Sequence, residues 1–268
     1  MKIGLIGKLS KIGSPQVLDE LSSMLHTNGH SVVRFAQNQD IRAVDLLIVL
    51  GGDGAILHAA TIAAPQDISI VGVNYGNLGF LTEFERKDVL KVVELVEDFA
   101  NRKCKILKRG LLQLEVAGET HYALNEVALQ RDYACGLTKN PQILTVDITT
   151  ESGTVSIAGD GVLMTTPTGS TAYSLSAGGA IIAPEVPAIM LTPICAFSMS
   201  ARPMVFSDEE SFELTIRKGK ALLLVDGKAV ATIAEKDVAR IKSAPFTAKF
   251  PTQNQKNFFN KIKTKLNG

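Results

Sequence analysis

Gly51-Gly52-Asp53-Gly54 sets one carboxylate among three glycines, directly after an apolar run (LLIVL, residues 46–50) and before a segment, residues 55–64, that reads as helix. Glycines lack Cβ, so the chain can turn through positive φ and bring backbone N–H groups against an anion. The helix that follows adds unpaired N–H groups and the positive end of its dipole. Together these features describe a phosphate-handling turn. A carboxylate beside bound phosphate is repelled unless a cation intervenes or it accepts a proton, which makes Asp53 a candidate general base or metal-linked acid. Asp is also among the best helix N-caps, and the four residues alone leave both readings open.

A second constellation occupies residues 165–179 (TTPTGSTAYSLSAGG), shortly after a Gly159-Asp160-Gly161 turn. Seven Ser and Thr hydroxyls fall within twelve positions (Thr165, Thr166, Thr168, Ser170, Thr171, Ser174 and Ser176), with Pro167 and Gly169 shaping the turn. They supply many donors and acceptors, and Tyr173 adds a flat ring on which an adenine could stack. A helix capped by Ser170 or Thr171 explains one or two of them, and Asp160 alone reads as a turn residue. Neither explains the density.

Asn125-Glu126 lies between these two constellations, inside the mostly apolar run 122–129. An amide that donates and accepts, next to an acceptor carboxylate, suits a purine edge and ribose hydroxyls. Neighbours in a regular strand point to opposite faces, so one of the pair needs solvent or a bulge. A solvated strand end is the alternative.

These groups need elements to hold them. A short uncharged apolar run suits a strand buried on both faces, and ligands bind in the crevice at the carboxyl ends of such strands. Residues 2–6, 30–35, 46–50 and 68–73 read as strands, and 15–27, 55–64 and 88–101 as helices; Val17, Leu18, Leu21, Met24 and Leu25 recur at helical spacing. Pro15 sits where helices begin, with Ser14 as its N-cap, and Asn28-Gly29 closes that helix. Strand and helix alternate, as a parallel α/β sheet requires.

After Cys104 the texture changes to short alternating runs at 111–116, 121–130, 143–149, 154–157, 212–216, 221–225 and 229–233. Gly118, Ser152-Gly153 and Asp226-Gly227 mark reversals, which predicts an antiparallel sandwich or related all-β domain. Residues 257–266 read as a basic helix with Phe258, Phe259, Ile262 and Leu266 on roughly one face, expected to dock on a domain. The expected domains are 1–104, 105–250 and a terminal helix in 251–268.

A chain of 268 residues is long enough for two domains, since a single core stops growing near ~250 residues. The composition, 46% hydrophobic and 21% charged, is that of an ordinary globular protein, and a net charge of +1 gives no support to nucleic-acid or membrane-surface binding. Cys104, Cys135 and Cys195 show no metal-ligand spacing and read as reduced thiols. The first residues (MKIGLIGKLS) lack the apolar core and cleavage site of a signal peptide, and no run reaches the ~20 apolar residues of a membrane helix. A cytoplasmic location is expected.

In order along the chain, Gly51-Gly52-Asp53-Gly54, Asn77-Leu78-Gly79-Phe80-Leu81, Asn125-Glu126-Val127, Gly159-Asp160-Gly161, Thr166-Pro167-Thr168-Gly169-Ser170-Thr171-Ala172-Tyr173, Leu191-Thr192-Pro193-Ile194-Cys195, Arg202-Pro203 and Asp226-Gly227 resemble the motifs of NAD kinases. The resemblance implies phosphoryl transfer from ATP, or from polyphosphate in some members, to the 2′-hydroxyl of the adenosine ribose of NAD, giving NADP. It implies a Rossmann-like α/β domain, a C-terminal β-sandwich and a tail returning to the first domain. Asp53 takes the role of proton acceptor. Gly51, Gly52 and Gly54 face the donor phosphates, whose charge Mg²⁺ or another divalent cation carried with the donor neutralises; the chain itself is expected to hold no resident metal.

The remaining implied contacts are His58, Phe80, Asn125, Glu126, Asp160, Thr168, Thr171, Ala172, Tyr173, Ser174, Ser176 and Lys228, and members assemble as homodimers or homotetramers. This chain departs from the family pattern at Ala55 (usually Thr or Ser), Tyr75 (often Thr), Ala158, Ala196-Phe197 (often Pro-His), His58 (often Lys or Arg) and Lys228 (often Gln). Two other classes share part of the pattern. One is a lipid kinase of the diacylglycerol or sphingosine type with the same GGDG turn, and the other is a dinucleotide sensor without turnover.

Overall fold

Alternating strands and helices in the first third of the chain build one parallel layer, and the alternating runs that follow build two antiparallel ones. The computed structural model describes residues 1–7, 16–36, 41–76, 79–132, 143–253 and 257–266. Ser14, Pro15, Asn77, Leu78 and Cys135 lie outside them. The chain divides into two units, Met1–Lys108 with Phe246–Gly268, and Arg109–Pro245.

The first unit contains β1 (Lys2–Gly7), α1 (Gln16–Thr27), β2 (Ser31–Phe35), β3 (Leu46–Gly51), α2 (Asp53–Ala63), β4 (Ser69–Asn74), β5 (Phe84–Glu85) and α3 (Val89–Ala100). The strands pair in parallel in the order β2-β1-β3-β4-β5. Every residue of β3 and β4 is buried, as expected of strands covered on both faces. On one face Leu18, Leu21 and Leu25 of α1 and Val92, Leu95 and Val96 of α3 pack with Ile3, Leu5, Leu46, Ile48, Leu50, Val71 and Val73. α2 packs on β3 and β4 through Ile56, Ala59, Ala60 and Ala63. A Cβ at Gly72 would overlap Ile56 Cδ1, so the small residue in β4 is what lets the helix seat closely. The carboxyl end of β3 therefore delivers Gly51 straight into the first turn of α2.

The second unit contains most of β6 (Lys105–Val116), then β7 (Glu119–Ala123), β8 (Glu126–Arg131), β9 (Leu144–Thr150), β10 (Gly153–Gly159), β11 (Gly161–Thr165), a short helix α4 (Tyr173–Ser176), β12 (Ala188–Ile194), β13 (Met204–Ser207), β14 (Phe212–Lys218), β15 (Lys220–Val225) and β16 (Lys228–Ala234). The last strand, β17 (Val238–Thr252), gives residues 238–245 to this unit; residues 246–252 belong to the first unit, within which Lys249 pairs with Ser69. A terminal helix, α5 (Asn257–Leu266), follows.

One antiparallel sheet runs β10-β9-β14-β17, with β6 and β7 continuing from β17, and the other runs β13-β12-β11-β8-β15-β16. Their inner faces meet in one core, with Leu112, Leu114, Val146, Ile148, Phe212, Leu214 and Ile241 against Val127, Leu129, Val162, Met164, Leu191, Leu223 and Val225. The two-domain α/β and β architecture is thus the one expected.

The sheet order corrects some of the expected runs. Residues 121–130 form two strands, not one, because the chain bends at Leu124–Asn125. β11, β12, β13 and β17 fall outside the expected runs. β11 and β12 are buried along their whole length, so they carry no polar alternation to betray them. The second face of β8 and β11 holds Ala128 and Leu163 beneath Tyr173 and Ala177. That covered outer face is where the hydroxyl-rich segment lies. In α5, Phe258 and Ile262 are partly buried and Phe259 is exposed.

Candidate active site

The phosphate turn starts where β3 runs out. Gly52 occupies the N-cap position of α2 in extended conformation, with no side-chain cap bond, and Asp53 is the first helical residue. The N-cap reading of Asp53 is thereby corrected. Its carboxylate instead turns toward the loop after β4. Oδ2 accepts the N–H of Phe80 at 2.8 Å and Oδ1 accepts that of Leu81 at 3.1 Å. A Cβ on Gly79 would overlap Oδ1 and sit 2.8 Å from Cγ, so a glycine is what admits the carboxylate here. Around Gly52 and Gly54 a Cβ would meet nothing within 4 Å among the described residues, which leaves that side of the turn open to an anion.

Asn74 braces the same loop. Its Oδ1 accepts the Gly76 N–H at 3.0 Å, and its Nδ2 donates to both Glu85 oxygens at 3.2 and 3.3 Å. Tyr75 donates its N–H to Gly51 O at 3.2 Å, while its ring lies 5.5 Å from the Arg86 guanidinium. Burial pushes the Tyr75 hydroxyl above its ordinary range, with Arg86 opposing. His58 is partly buried on α2, and its carbonyl accepts the Thr61 hydroxyl at 2.9 Å.

In the second unit the decisive residue is Asp226. With Gly227 it forms the two-residue β15–β16 turn, both at positive φ (46° and 77°), the geometry an Asp-Gly hairpin turn requires. Its carboxylate accepts three consecutive backbone N–H groups, from Leu124 at 2.9 Å, Asn125 at 2.8 Å and Glu126 at 3.2 Å. Its own N–H donates to Glu126 O at 3.0 Å. This grip is why the run 121–130 breaks. Asn125 therefore sits in a bend rather than a strand, and the alternation rule that sets the pair on opposite faces does not govern it.

The hydroxyl segment holds Asn125 from the other side. Thr166 Oγ1 donates to Leu124 O at 2.6 Å, Thr166 N–H donates to Asn125 O at 2.9 Å, and Gly169 N–H donates to Thr166 Oγ1 at 3.1 Å. With its backbone held on both sides, Asn125 presents an amide that makes no hydrogen bond among the described residues.

Glu126 is 6% exposed, and its Oε2 has no partner. Burial, and secondarily the Asp226 charge, push its carboxyl up to about 7. Thr165 stands opposite it across β8 and β11, and Thr165 Oγ1 is likewise buried without a partner. An unsatisfied buried polar group costs about 1–3 kcal/mol. Two together leave bonding capacity that a ligand or ordered water can take up.

The seven hydroxyls divide between the interior and an accessible face. Ser170 Oγ donates to Pro167 O at 2.6 Å and accepts the Ile182 N–H at 3.0 Å. Ser174, 0% exposed, pairs with Thr192 at 2.8 Å. Both are spent on the interior. α4 has only four residues, with Ala172 at its N-cap and no side-chain cap bond, so the capping reading of Ser170 or Thr171 is corrected too. Thr168 is buried, and its carbonyl accepts the Thr171 hydroxyl at 3.3 Å. Thr171, Ala172 and Tyr173 are partly exposed and Ser176 is exposed.

Gln130 Nε2 donates to the Tyr173 hydroxyl at 2.6 Å, which anchors the ring. Asp160 lies 3.5 Å from Arg131 NH1. Its turn depends on Gly161 at φ 152°, where a Cβ would overlap Leu129 O. Lys228 is exposed, and its charge lowers the Asp226 pKa against the larger upward push of burial.

The family description "ATP-NAD kinase N-terminal domain" matches residues 10–100 and "ATP-NAD kinase C-terminal domain" matches residues 124–252. An NAD kinase of Heliobacterium modesticaldum is 33% identical over 231 residues, covering 84% of this chain and 80% of its own length. This chain belongs to the NAD kinase family. An NAD kinase of Methanothermobacter thermautotrophicus is 32% identical over 283 residues, 99% of this chain and 96% of its own. The crystal structure of yeast NADH kinase complexed with NADH superposes with a TM-score of 0.85 at 25% identity, covering 100% of this chain and 87% of that one. Within the NAD kinase frame, Asp53 falls in the N-terminal match, and Asn125, Glu126 and the hydroxyl segment fall in the C-terminal one.

Among the described residues no three His, Cys, Asp or Glu side chains converge to hold a metal, and both Asp53 oxygens already accept amides. Gly79→Ala tests that clamp. The added methyl group displaces the Asp53 carboxylate from both N–H groups, so turnover is expected to fall by about tenfold or more. The thermal unfolding midpoint should fall by only a few degrees, because two hydrogen bonds to the carboxylate are lost but the clash itself falls on a side-chain end. Wild-type kinetics in that variant would show that the clamp does not orient Asp53.

Proposed function

We propose that this NAD kinase transfers a phosphoryl group from ATP, or from polyphosphate, to the 2′-hydroxyl of the adenosine ribose of NAD and so makes NADP. The observation that carries the mechanism is the placement of Asp53, held by two amides in the first turn of α2 beside glycines open to an anion. A ribose hydroxyl is a poor nucleophile at neutral pH. As its oxygen attacks phosphorus, Asp53 takes its proton, and the bond to the leaving phosphate oxygen breaks with its electrons going to the shortened donor.

The Gly51, Gly52 and Gly54 amides and the α2 dipole stabilise the donor phosphates, with His58 as a nearby basic group and Phe80 bordering the loop. A divalent cation bound to the donor supplies further charge neutralisation. No Walker A lysine is present in the sequence, so the glycine turn performs that cradling.

The second unit supplies recognition. Asn125 offers its amide to the purine edge and Glu126 accepts ribose hydroxyls, while Thr171, Ala172, Tyr173 and Ser176 border the dinucleotide. Thr168, Ser174 and Asp160 shape that wall from behind, and Lys228 offers a positive charge at its rim. In this assignment residues 1–104 carry the phosphate turn, 105–250 the dinucleotide site and 251–268 a helix that packs on the first domain. The enzyme works in the cytoplasm as a homodimer or homotetramer, which sedimentation of the purified protein checks.

No helix among the described residues is long and apolar enough to cross a membrane. A lipid kinase sharing the GGDG turn requires a greasy entrance for its substrate. The discriminating experiment offers labelled donor to the protein with NAD and with a lipid diol in vesicles. Label is expected in NAD alone; label in the lipid and none in NAD would overturn the assignment.

A further inference from the structure

Glu126 and Asp226 place two carboxyl groups in one buried corner of the second unit. The Asp226 carboxylate is held by three backbone N–H groups at 2.8–3.2 Å, while Glu126 Oε2 has none. The groups around Glu126 are few. From β11 the residue directly opposite is the uncharged Thr165, whose Oγ1 is also unsatisfied. From the β15–β16 turn come Asp226 and, acting on Asp226, Lys228. On β8 itself the Gln130 amide is committed to Tyr173.

We propose that Asp226 is a positioning residue for dinucleotide recognition that makes ligand capture proton-linked. It fixes the Leu124–Glu126 backbone and sets a negative charge beside Glu126, so that Glu126 holds a proton in the free protein and releases it when ribose hydroxyls donate to its carboxylate. This rests on the reading of the second unit as the NAD site.

The physical steps follow from the geometry. A fixed anion close to a buried carboxyl disfavours a second charge there, and burial disfavours it further. Both causes act on Glu126, which titrates near neutrality, at about 7. A carboxylate that gains two hydroxyl donors is favoured over its protonated form. Binding therefore lowers the proton affinity of Glu126, and the proton goes to solvent. By linkage, rising pH favours the bound state until Glu126 is ionised in the free protein as well.

Calorimetry of NAD binding in two buffers of different ionisation enthalpy, with wild type, Glu126→Gln and Asp226→Asn, tests this directly. In the wild type the Kd for NAD is expected to fall about tenfold between about pH 6 and about pH 8, with about half a proton released at neutrality. Glu126→Gln, isosteric and neutral, should bind weakly with a flat profile and no proton release. Asp226→Asn removes the neighbouring charge and should shift the step to lower pH, an effect that loss of backbone support alone does not produce. Where Asp226→Asn fails to fold, the wild type and Glu126→Gln decide the outcome. NAD binding with a pH-independent wild-type Kd and no proton release would overturn the proposal and leave the NAD kinase assignment intact. An unmoved step in folded Asp226→Asn would remove Asp226 from it. Failure of NAD to bind at any pH would overturn both.

Discussion

Asp53→Asn is expected to lower NADP formation by about 10² or more while leaving NAD affinity within a fewfold. Asparagine keeps the size of the side chain and loses the ability to accept a proton. It also changes the local bonding, because Asp53 offers one oxygen each to the N–H groups of Phe80 and Leu81. The asparagine NH₂ must oppose one of those donors, at a cost of about 1–3 kcal/mol. Part of the lost rate is then misplacement of the loop and part is missing chemistry. Gly79→Ala separates them, since it keeps the carboxylate and disturbs only its seat. The dinucleotide contacts assigned to the second unit are untouched in both variants, so calorimetric NAD affinity is the control. Turnover equal to wild type in Asp53→Asn would remove the base assignment.

Gly169→Ala is expected to be among the most damaging small substitutions in the second unit. A Cβ there would overlap Asn125 O and lie 2.5 Å from Asn125 C and 2.6 Å from its Cα. All three are backbone atoms, fixed from the far side by Asp226. No flexible side-chain end is available to yield, so the chain itself must shift, at a cost of about 2–4 kcal/mol. NAD affinity should fall about tenfold or more alongside, because the displaced backbone carries both Asn125 and Glu126. Gly110→Ala is the matched control, with nothing within 4 Å of the added methyl group, and should stay within about 0.5 kcal/mol of wild type. Urea denaturation measures both. Equal stability of the two variants would show that the close approach at Gly169 is not structural.

The parallel layer was legible because β3 and β4 are short apolar runs bounded by glycine and asparagine, and α1 and α3 carry apolar residues at helical spacing. β11 and β12 were not, since strands buried on both faces show no alternation and here lie among hydroxyl-rich turns. Asp53 stood out as a carboxylate in a glycine turn, yet nothing local ruled out a helix cap; that required Gly52 at the N-cap and the amides of Phe80 and Leu81, 27 and 28 residues away. Asp226 was read as a turn residue, and the turn is real. Its grip on Leu124–Glu126 spans about a hundred residues, a separation at which spacing rules are silent. The hydroxyl segment was recognised as a unit by its density. Only the packing could assign Ser170 and Ser174 to the interior and leave Thr171 and Ser176 accessible.

Phosphorylation of NAD by this chain is tested by incubating the purified protein with NAD, Mg²⁺ and either ATP or polyphosphate and quantifying NADP. NADP accumulating with at least one donor, and only when NAD is present, is the expected result. No NADP from either donor would overturn the assignment of this activity to the chain.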